Sequence, residues 1–313
     1  MRVTLEQACD LLKSGLVIAV PTETVYGLAA SIDFPNAIQD IFRLKGRPAD
    51  NPLIVHAASV EEVAEYVREK PPHFEKLASS FWPGPMTLIL PVIEEEVPAV
   101  ARAGLPTAAF RVPVHPLTLQ LLQETGPLVM PSANLSGKPS ATSAQHVEED
   151  FGSGFSVLDG GSCQKGMEST ILCWKGSEWV IIRLGALPPE AFFPVLGYLP
   201  QVNLGGNGQQ ERPLCPGQLY RHYAPNAKLT LLESIPQERQ GVVIGFSDRT
   251  YPKGCRLYPL GSSKDPEAAA HQLYAVLRQL DADGIQEAMV DMNFPAQGLW
   301  LTLRERLQKA ARV

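Results

Sequence analysis

Lys45 and Arg47 stand one residue apart in "KGRPADNPLIVH", in a loop broken by Gly46, Pro48 and Pro52. Lysine offers a compact point charge. Arginine offers a planar fork that matches phosphate or carboxylate oxygens. The prolines restrict the loop, so little entropy is lost when it holds a ligand. Asn51 adds a neutral donor and acceptor, and the stretch runs into an apolar strand ending at His56. These types at this spacing suit the binding of an anion; the plain alternative is a solvated basic turn.

Other stretches carry groups of the same kind. "PTETVYGLAA" packs Thr22, Glu23, Thr24 and Tyr26 into a turn after a buried strand, a position where α/β sheets commonly bind ligands. "MPSANLSGKPSATS" holds Ser132, Asn134 and Thr142. Loops of such small polar residues present N–H and hydroxyl groups to phosphate, although the GxxxxGK[ST] spacing of a P-loop is absent. "GMESTILCW" and "IIRLGAL" put Ser169 at the start of one strand and Arg183 at the end of the next. If the strands pair, the two residues meet. Arg111, inside the apolar run "AAFRVPV", requires an acidic partner or a bound anion. Each stretch also has a purely structural reading: a capping turn, a Ser-rich loop, a hairpin, an ion pair. No Ser–His–Asp or Cys–His arrangement is legible, so covalent nucleophilic catalysis is not expected.

The elements that must position these groups follow from pattern. Thr4 with Gln7 forms a capping box for a helix stopped by Gly15. "LVIAV" and "PLIVH" read as short buried strands. Asp33 is expected to cap a helix running to about Leu44, and Ser59 with Glu62 another. "MTLILPV", "AAFRVPV", "PLVMPS", "STILCW" and "EWVIIRL" read as strands, with a helix from Pro116 to Glu124. Some strands follow one another directly, so the expected fold is α/β with a mixed sheet. Gly, Pro, Gln and Asn dominate from about Tyr198 to Asn226, which reads as a linker, though "LYRHYAP" is dense for a spacer. Beyond it, strand–strand–helix–strand–helix predicts a small α/β domain. The expected division is a catalytic domain over 1–197, a linker that acts as a lid over 198–226 and a small α/β domain over 227–313.

Bulk properties restrict the class. The 313 residues are 45 % apolar and 19 % charged, which supports a sizeable core. Net charge is −6, and residues 1–200 carry 14 Lys/Arg against 22 Asp/Glu. That balance disfavours a broad nucleic-acid-binding surface. The five cysteines are scattered without CxxC spacing, so neither a zinc site nor a disulfide framework is expected. The N-terminus lacks a signal-peptide pattern, and no apolar run reaches the ~18–20 residues that span a bilayer. A cytoplasmic protein without membrane association is expected.

Taken in order, "PTETVYGL", "KGRPADNPLIVH", "FWPGPMTLIL", "FRVPVHP", "PSANLSGKPSAT" and "ESTI…RLGAL" resemble the YrdC-like family over about residues 5–195. "CPGQLYRHYAP" and the trailing domain resemble its longer, two-domain members, which make threonylcarbamoyl-AMP. The resemblance implies an open twisted sheet around a concave basic groove, with a smaller Rossmann-like C-terminal domain. It implies L-threonine, bicarbonate and ATP as substrates, Mg2+ with the triphosphate, and pyrophosphate release. A separate transferase complex then modifies tRNA, so direct tRNA binding is expected to be weak or absent. Carried over by motif, the catalytic set is Lys45, Arg47, Ser132 and Asn134. ATP falls to Arg47, Asn51, Asn134, Thr142, Arg183 and Tyr223, and threonine to Thr24, His56, Arg111, Ser132 and Ser169. Cys215, Gln218, Leu219, Val114 and Cys173 depart from the family pattern. Two other functions remain open on this reading: a YrdC-type enzyme that adenylates plain carbamoyl groups, and a non-catalytic RNA-binding module.

Overall fold

A computed structural model describes residues 1–205, 213–214 and 222–312. Cys215, Gln218 and Leu219 lie outside them. In chain order the first elements are β1 (Arg2–Val3), α1 (Leu5–Lys13), β2 (Ile18–Val20), β3 (Gly27–Ser31), α2 (Pro35–Lys45), β4 (Ile54–His56), α3 (Val60–Tyr66) and α4 (Phe74–Phe81). Then come β5 (Met86–Pro91), β6 (Thr107–Arg111), α5 (Pro116–Thr125), β7 (Leu128–Val129), α6 (Ala144–Phe151), β8 (Val157–Leu158), β9 (Thr170–Trp174), β10 (Trp179–Arg183) and α7 (Phe193–Leu196). The remainder holds β11 (Lys228–Leu232), β12 (Gly241–Gly245), β13 (Cys255–Pro259), α8 (Pro266–Ala282), β14 (Glu287–Asp291) and α9 (Gly298–Ala310).

Local chemistry accounts for several boundaries. The Thr4 hydroxyl accepts from Gln7 N, and the Gln7 side chain accepts from Thr4 N. Ser59 caps α3 through Glu62 N. Asp33 does not cap α2. The helix begins at Pro35, whose missing N–H removes one donor that a cap would serve, and Asp33 N bonds instead to the Ser31 hydroxyl. Gly46, at φ 62°, ends α2 in the left-handed conformation and turns the chain toward Arg47.

Among the described residues, the first sheet has ten strands in the order β1-β8-β2-β3-β7-β4-β6-β5-β9-β10 and is mixed. β4 and β6 are parallel, whereas β5–β6 and β9–β10 are antiparallel. Strand alternation separates its two faces. Val55, Leu88, Leu90, Phe110, Leu172 and Ile181 join the main core, which includes side chains of α2 and α4. Ile54, Ile89, Ala109, Ile171 and Ile182 form a smaller cluster of their own. The second sheet is parallel, in the order β11-β14-β12-β13. β13 is an addition to the expected strand count. Its core, built on Phe246, Leu273, Tyr274 and Leu303, also takes in Val25, Met167 and Tyr223 from outside that sheet. Among the described residues, no helix is long and apolar enough to cross a membrane.

Candidate active site

β4 and β6 run side by side with His56 opposite Arg111. Ile54 and His56, two residues apart, share one face of β4. A narrow cleft opens there, enclosing about 560 Å3 of empty space when the open solvent at its mouth is included. Thr24, Arg47, Ile54, His56, Arg111, Ser132, Asn134, Ser169, Arg183 and Tyr223 line it, together with Lys138, Ser140, Glu168 and His222. Lys45, Asn51 and Thr142 are not among the lining residues.

Arg111 has an acidic partner. Its Nη2 meets Glu23 Oε1 at 2.5 Å, its Nη1 donates to Thr24 Oγ1 at 2.8 Å, and its Nε donates to Gly84 O at 3.2 Å. The turn after β2 thus supplies both the counter-charge and a hydroxyl at the cavity. Thr22 steadies that turn by accepting from Val25 N and donating to Val25 O. His56 is buried and sits 3.2 Å from Ile54 O through Nδ1. A carbonyl only accepts, so Nδ1 carries the proton and Nε2 keeps its lone pair. Burial, then Arg111 and Arg183, hold the imidazole pKa well below the ordinary histidine value, so the ring is neutral near pH 7.

Arg183 meets Ser169 as the hairpin reading required. Its Nη2 donates to Ser169 O at 2.8 Å and to Ser169 Oγ at 3.0 Å. A bulge between Ile181 and Arg183 produces this approach, because Arg183 rather than Ile182 comes opposite Ile171. Bulges re-aim side chains in this way. Gly185 lies so close behind that a Cβ on it would stand 2.4 Å from both Glu168 O and Ser169 C.

The basic loop splits its two cations. Arg47 reaches the cavity while Nε and Nη2 donate to Asn51 O, and Nη2 also to Pro52 O at 2.9 Å. Lys45 points inward. Its Nζ donates to Ser132 O at 2.5 Å and Asn134 O at 2.6 Å. Burial, then Arg47, push its pKa well below the ordinary lysine value. Lys45 therefore braces the loop that presents Ser132 and Asn134. Asn134 Nδ2 donates to Leu135 O and Lys138 O, while its Oδ1 is buried without a hydrogen-bond partner. Asn51 Oδ1 is likewise unpartnered. Thr142 lies outside the lining, with its N–H donating to His146 Nδ1 at 3.2 Å.

Tyr223 is buried at φ 65°, stacked on Tyr274 at 5.4 Å. The next residue, Ala224, donates its N–H to Gly137 O at 2.8 Å. Its neighbour His222 has a buried Nε2 without a partner and a pKa of about 3, lowered by burial and then by Arg47. Residue types at spacing did not single out His222 or Glu168. "LYRHYAP" was visible as a dense stretch, and Glu168 stands directly before Ser169; neither carries a local pattern that names a role.

Comparison with known proteins places this geometry. Residues 10–185 match the Sua5/YciO/YrdC family, described as "Telomere recombination". Residues 190–312 match the family described as "Threonylcarbamoyl-AMP synthase, C-terminal domain". A Bacillus subtilis (strain 168) protein named threonylcarbamoyl-AMP synthase is 38 % identical over 97 % of this chain and 92 % of its own length. One of the same name from Pyrococcus abyssi (strain GE5 / Orsay) is 38 % identical over 97 % of this chain and 93 % of its own. The crystal structure of P. abyssi Sua5 complexed with L-threonine superposes with a TM-score of 0.89 and 36 % identity, covering 99 % of this chain and 96 % of that one. With matches that span both sheets, the chain belongs to the Sua5/YciO/YrdC family in its two-domain form.

Proposed function

We propose that this chain makes L-threonylcarbamoyl-AMP from L-threonine, bicarbonate and ATP, releasing pyrophosphate and water, for threonylcarbamoyladenosine modification of tRNA. The observation that carries the reading is one cavity lined by Thr24, Arg47, His56, Arg111, Asn134, Ser169, Arg183 and Tyr223. Thr24, His56, Arg111 and Ser169 are assigned to the amino acid. Arg47, Asn134, Arg183 and Tyr223 are assigned to the nucleotide. The names of the near-full-length relatives support it. Residues 1–197 are assigned the catalytic domain, 198–226 the linker or lid, and 227–313 the C-terminal domain.

The chemistry needs a neutral threonine amine. The amine attacks the carbon of bicarbonate or CO2 and forms a carbamate. A carbamate oxygen then attacks the α-phosphate of ATP, and the bond to pyrophosphate breaks. His56 Nε2, an acceptor in the tautomer described, suits a donor of threonine. Arg111 and Thr24, already fixed to one another, suit its carboxylate and hydroxyl. Arg47 and Arg183 suit the phosphates, where each such donor is typically worth about 3–4 kcal/mol in the transition state. Asn134 Oδ1, buried and unpartnered, suits a donor on the nucleotide. Lys45 acts one step back by holding Ser132 and Asn134 in place, and Asn51 fixes Arg47 through its carbonyl. Thr142 contributes through the start of α6. The labile carbamate benefits from exclusion of water.

Among the described residues, the cavity does not offer magnesium a free carboxylate. Among the described residues, Glu168 is the lining carboxylate, and both its oxygens accept from protein donors. Among them, too, no cluster of three or more His, Cys, Asp or Glu is arranged to hold a metal. Mg2+ is thus assigned to the substrate, as MgATP.

The test is pyrophosphate release with threonine, bicarbonate and ATP, each omitted in turn. Release is expected only with all three. Release that ignores threonine would sink the reading. Tight, strongly salt-dependent RNA binding without turnover would favour a binding module instead.

A further inference from the structure

Glu168 braces two walls of the cavity. Its Oε1 accepts from Ser140 Oγ at 2.6 Å, and Ser140 belongs to the 130–143 loop that carries Ser132 and Asn134. Its Oε2 accepts from Tyr274 OH at 2.8 Å and from Arg306 Nε at 3.3 Å. Tyr274 lies in α8 and Arg306 in α9, both packed with the second sheet. Arg306 is fully buried. Its Nη1 pairs with Glu305, its Nη2 donates to Leu184 O at 2.6 Å, and its guanidinium lies 4.7 Å from the centre of the Tyr223 ring.

A carboxylate that accepts from all three neighbours serves best when ionised. Burial opposes ionisation, but Arg306 and Arg183, with the Ser140 and Tyr274 hydroxyls, outweigh it and hold the group below the ordinary glutamate range. This leaves a negative charge on the wall that also carries Arg47, Arg183 and Lys138. Beside a triphosphate, an uncompensated carboxylate repels over several ångströms in a low-dielectric site. Removing one partner of a buried pair leaves the other charge exposed to that cost.

We propose that Arg306 is a positioning residue of the nucleotide site, the counter-charge that lets Glu168 brace the cavity without repelling MgATP. The C-terminal domain would then set nucleotide affinity through a residue that touches no substrate. The proposal rests on the reading of the cavity as an MgATP site.

The experiment uses the full-length chain. MgATP and L-threonine binding are measured by calorimetry for the unsubstituted protein, Arg306→Gln, Glu168→Gln and the double variant, alongside thermal melts. If the unsubstituted protein neither binds MgATP nor releases pyrophosphate, the functional reading itself fails. Otherwise, Arg306→Gln is expected to weaken MgATP by about tenfold or more while threonine affinity changes by less than about twofold. Adding Glu168→Gln removes the orphaned charge, so the double variant should recover to within about threefold of the original. A merely packing role predicts a double variant at least as weak as Arg306→Gln, and that result would overturn the proposal. So would MgATP binding by Arg306→Gln equal to that of the unsubstituted chain. Should Arg306→Gln not fold, Glu168→Gln and the double variant decide. Affinities within about threefold of each other support the proposal; a further tenfold loss in the double variant overturns it.

Discussion

Lys45 and Arg47 are near neighbours in one loop but point to different partners. Both were legible as a constrained basic pair, because proline and glycine around two cations form a local pattern. Which of them faces the cavity was not legible. That depends on the carbonyls of Ser132 and Asn134, which arrive from residues almost ninety positions away. Glu23 and Arg111 show the same limit: the buried arginine announced its need for a partner, and the partner's identity came from the fold. Histidines add a pH dependence at this scale. His146 is held at a pKa of about 4 by burial and then Arg278, and His56 and His222 are also lowered. Below about pH 6.5 the unfolded chain takes up protons that the folded chain refuses, so stability falls as pH drops from about 6.5 toward 4. Each such group contributes up to about 1.4 kcal/mol per pH unit in that window. Urea unfolding at pH 7.5 and 5 should show this loss, and His146→Gln should reduce it. An unchanged difference between the two pH values in His146→Gln would show that His146 does not contribute.

Elements with strong periodicity or caps were readable. α1, α3, α5, α8 and α9, and the apolar strands β2, β4, β5, β6, β7, β9 and β10, all stand close to where their residues predict, whereas the two-residue β8 was not among the expected strands. Others were not. β3, "GLAAS", is built from small residues with little strand preference, and only its burial between β2 and β7 makes it a strand. β13 is a partly exposed edge strand whose alternation holds over Cys255, Arg256 and Leu257 and is broken by the buried Tyr258. The bulge in β10 has no signature in "EWVIIRL", yet it aims Arg183 at Ser169. One turn tests how an element hands a residue to the site. Gly46 takes φ 62°, and a Cβ there would meet nothing within 4 Å. Gly46→Ala should therefore cost about 1–2 kcal/mol through backbone conformation alone, with turnover within about twofold of the original once folded. Chemical denaturation and the pyrophosphate assay measure the two effects. A collapse in turnover without loss of stability would show that the turn controls Arg47 itself.

At the scale of the molecule, an α/β chain with a mixed sheet and a second small α/β unit was readable from the order of elements. The way the two units share a site was not, because no local pattern links Arg306 to Glu168 or Arg278 to the 135–140 loop. Arg278, from α8, donates to Pro139 O at 2.7 Å and pairs with Asp150 at 2.9 Å. Asp150 in turn accepts from Leu135 N. Truncation after residue 197 should strip Val25 and Met167 of their cover and leave Glu168 and Asp150 without their arginines. The shortened chain is expected to aggregate or bind a hydrophobic dye, with pyrophosphate release down by about 100-fold or more. A monodisperse, fully active fragment would show that the second sheet is dispensable.

Val25 follows Thr24 directly, and while Thr24 accepts from Arg111, the Val25 side chain sits in the core of the second sheet. One dipeptide therefore belongs both to the lining of the cavity and to the interior of the other domain. Local opening of the C-terminal core must loosen the turn that holds Thr24, and a ligand that secures this turn must resist that opening. Occupancy of the cavity is then felt as protection of helices that never meet the substrate, with the binding free energy spread over both sheets.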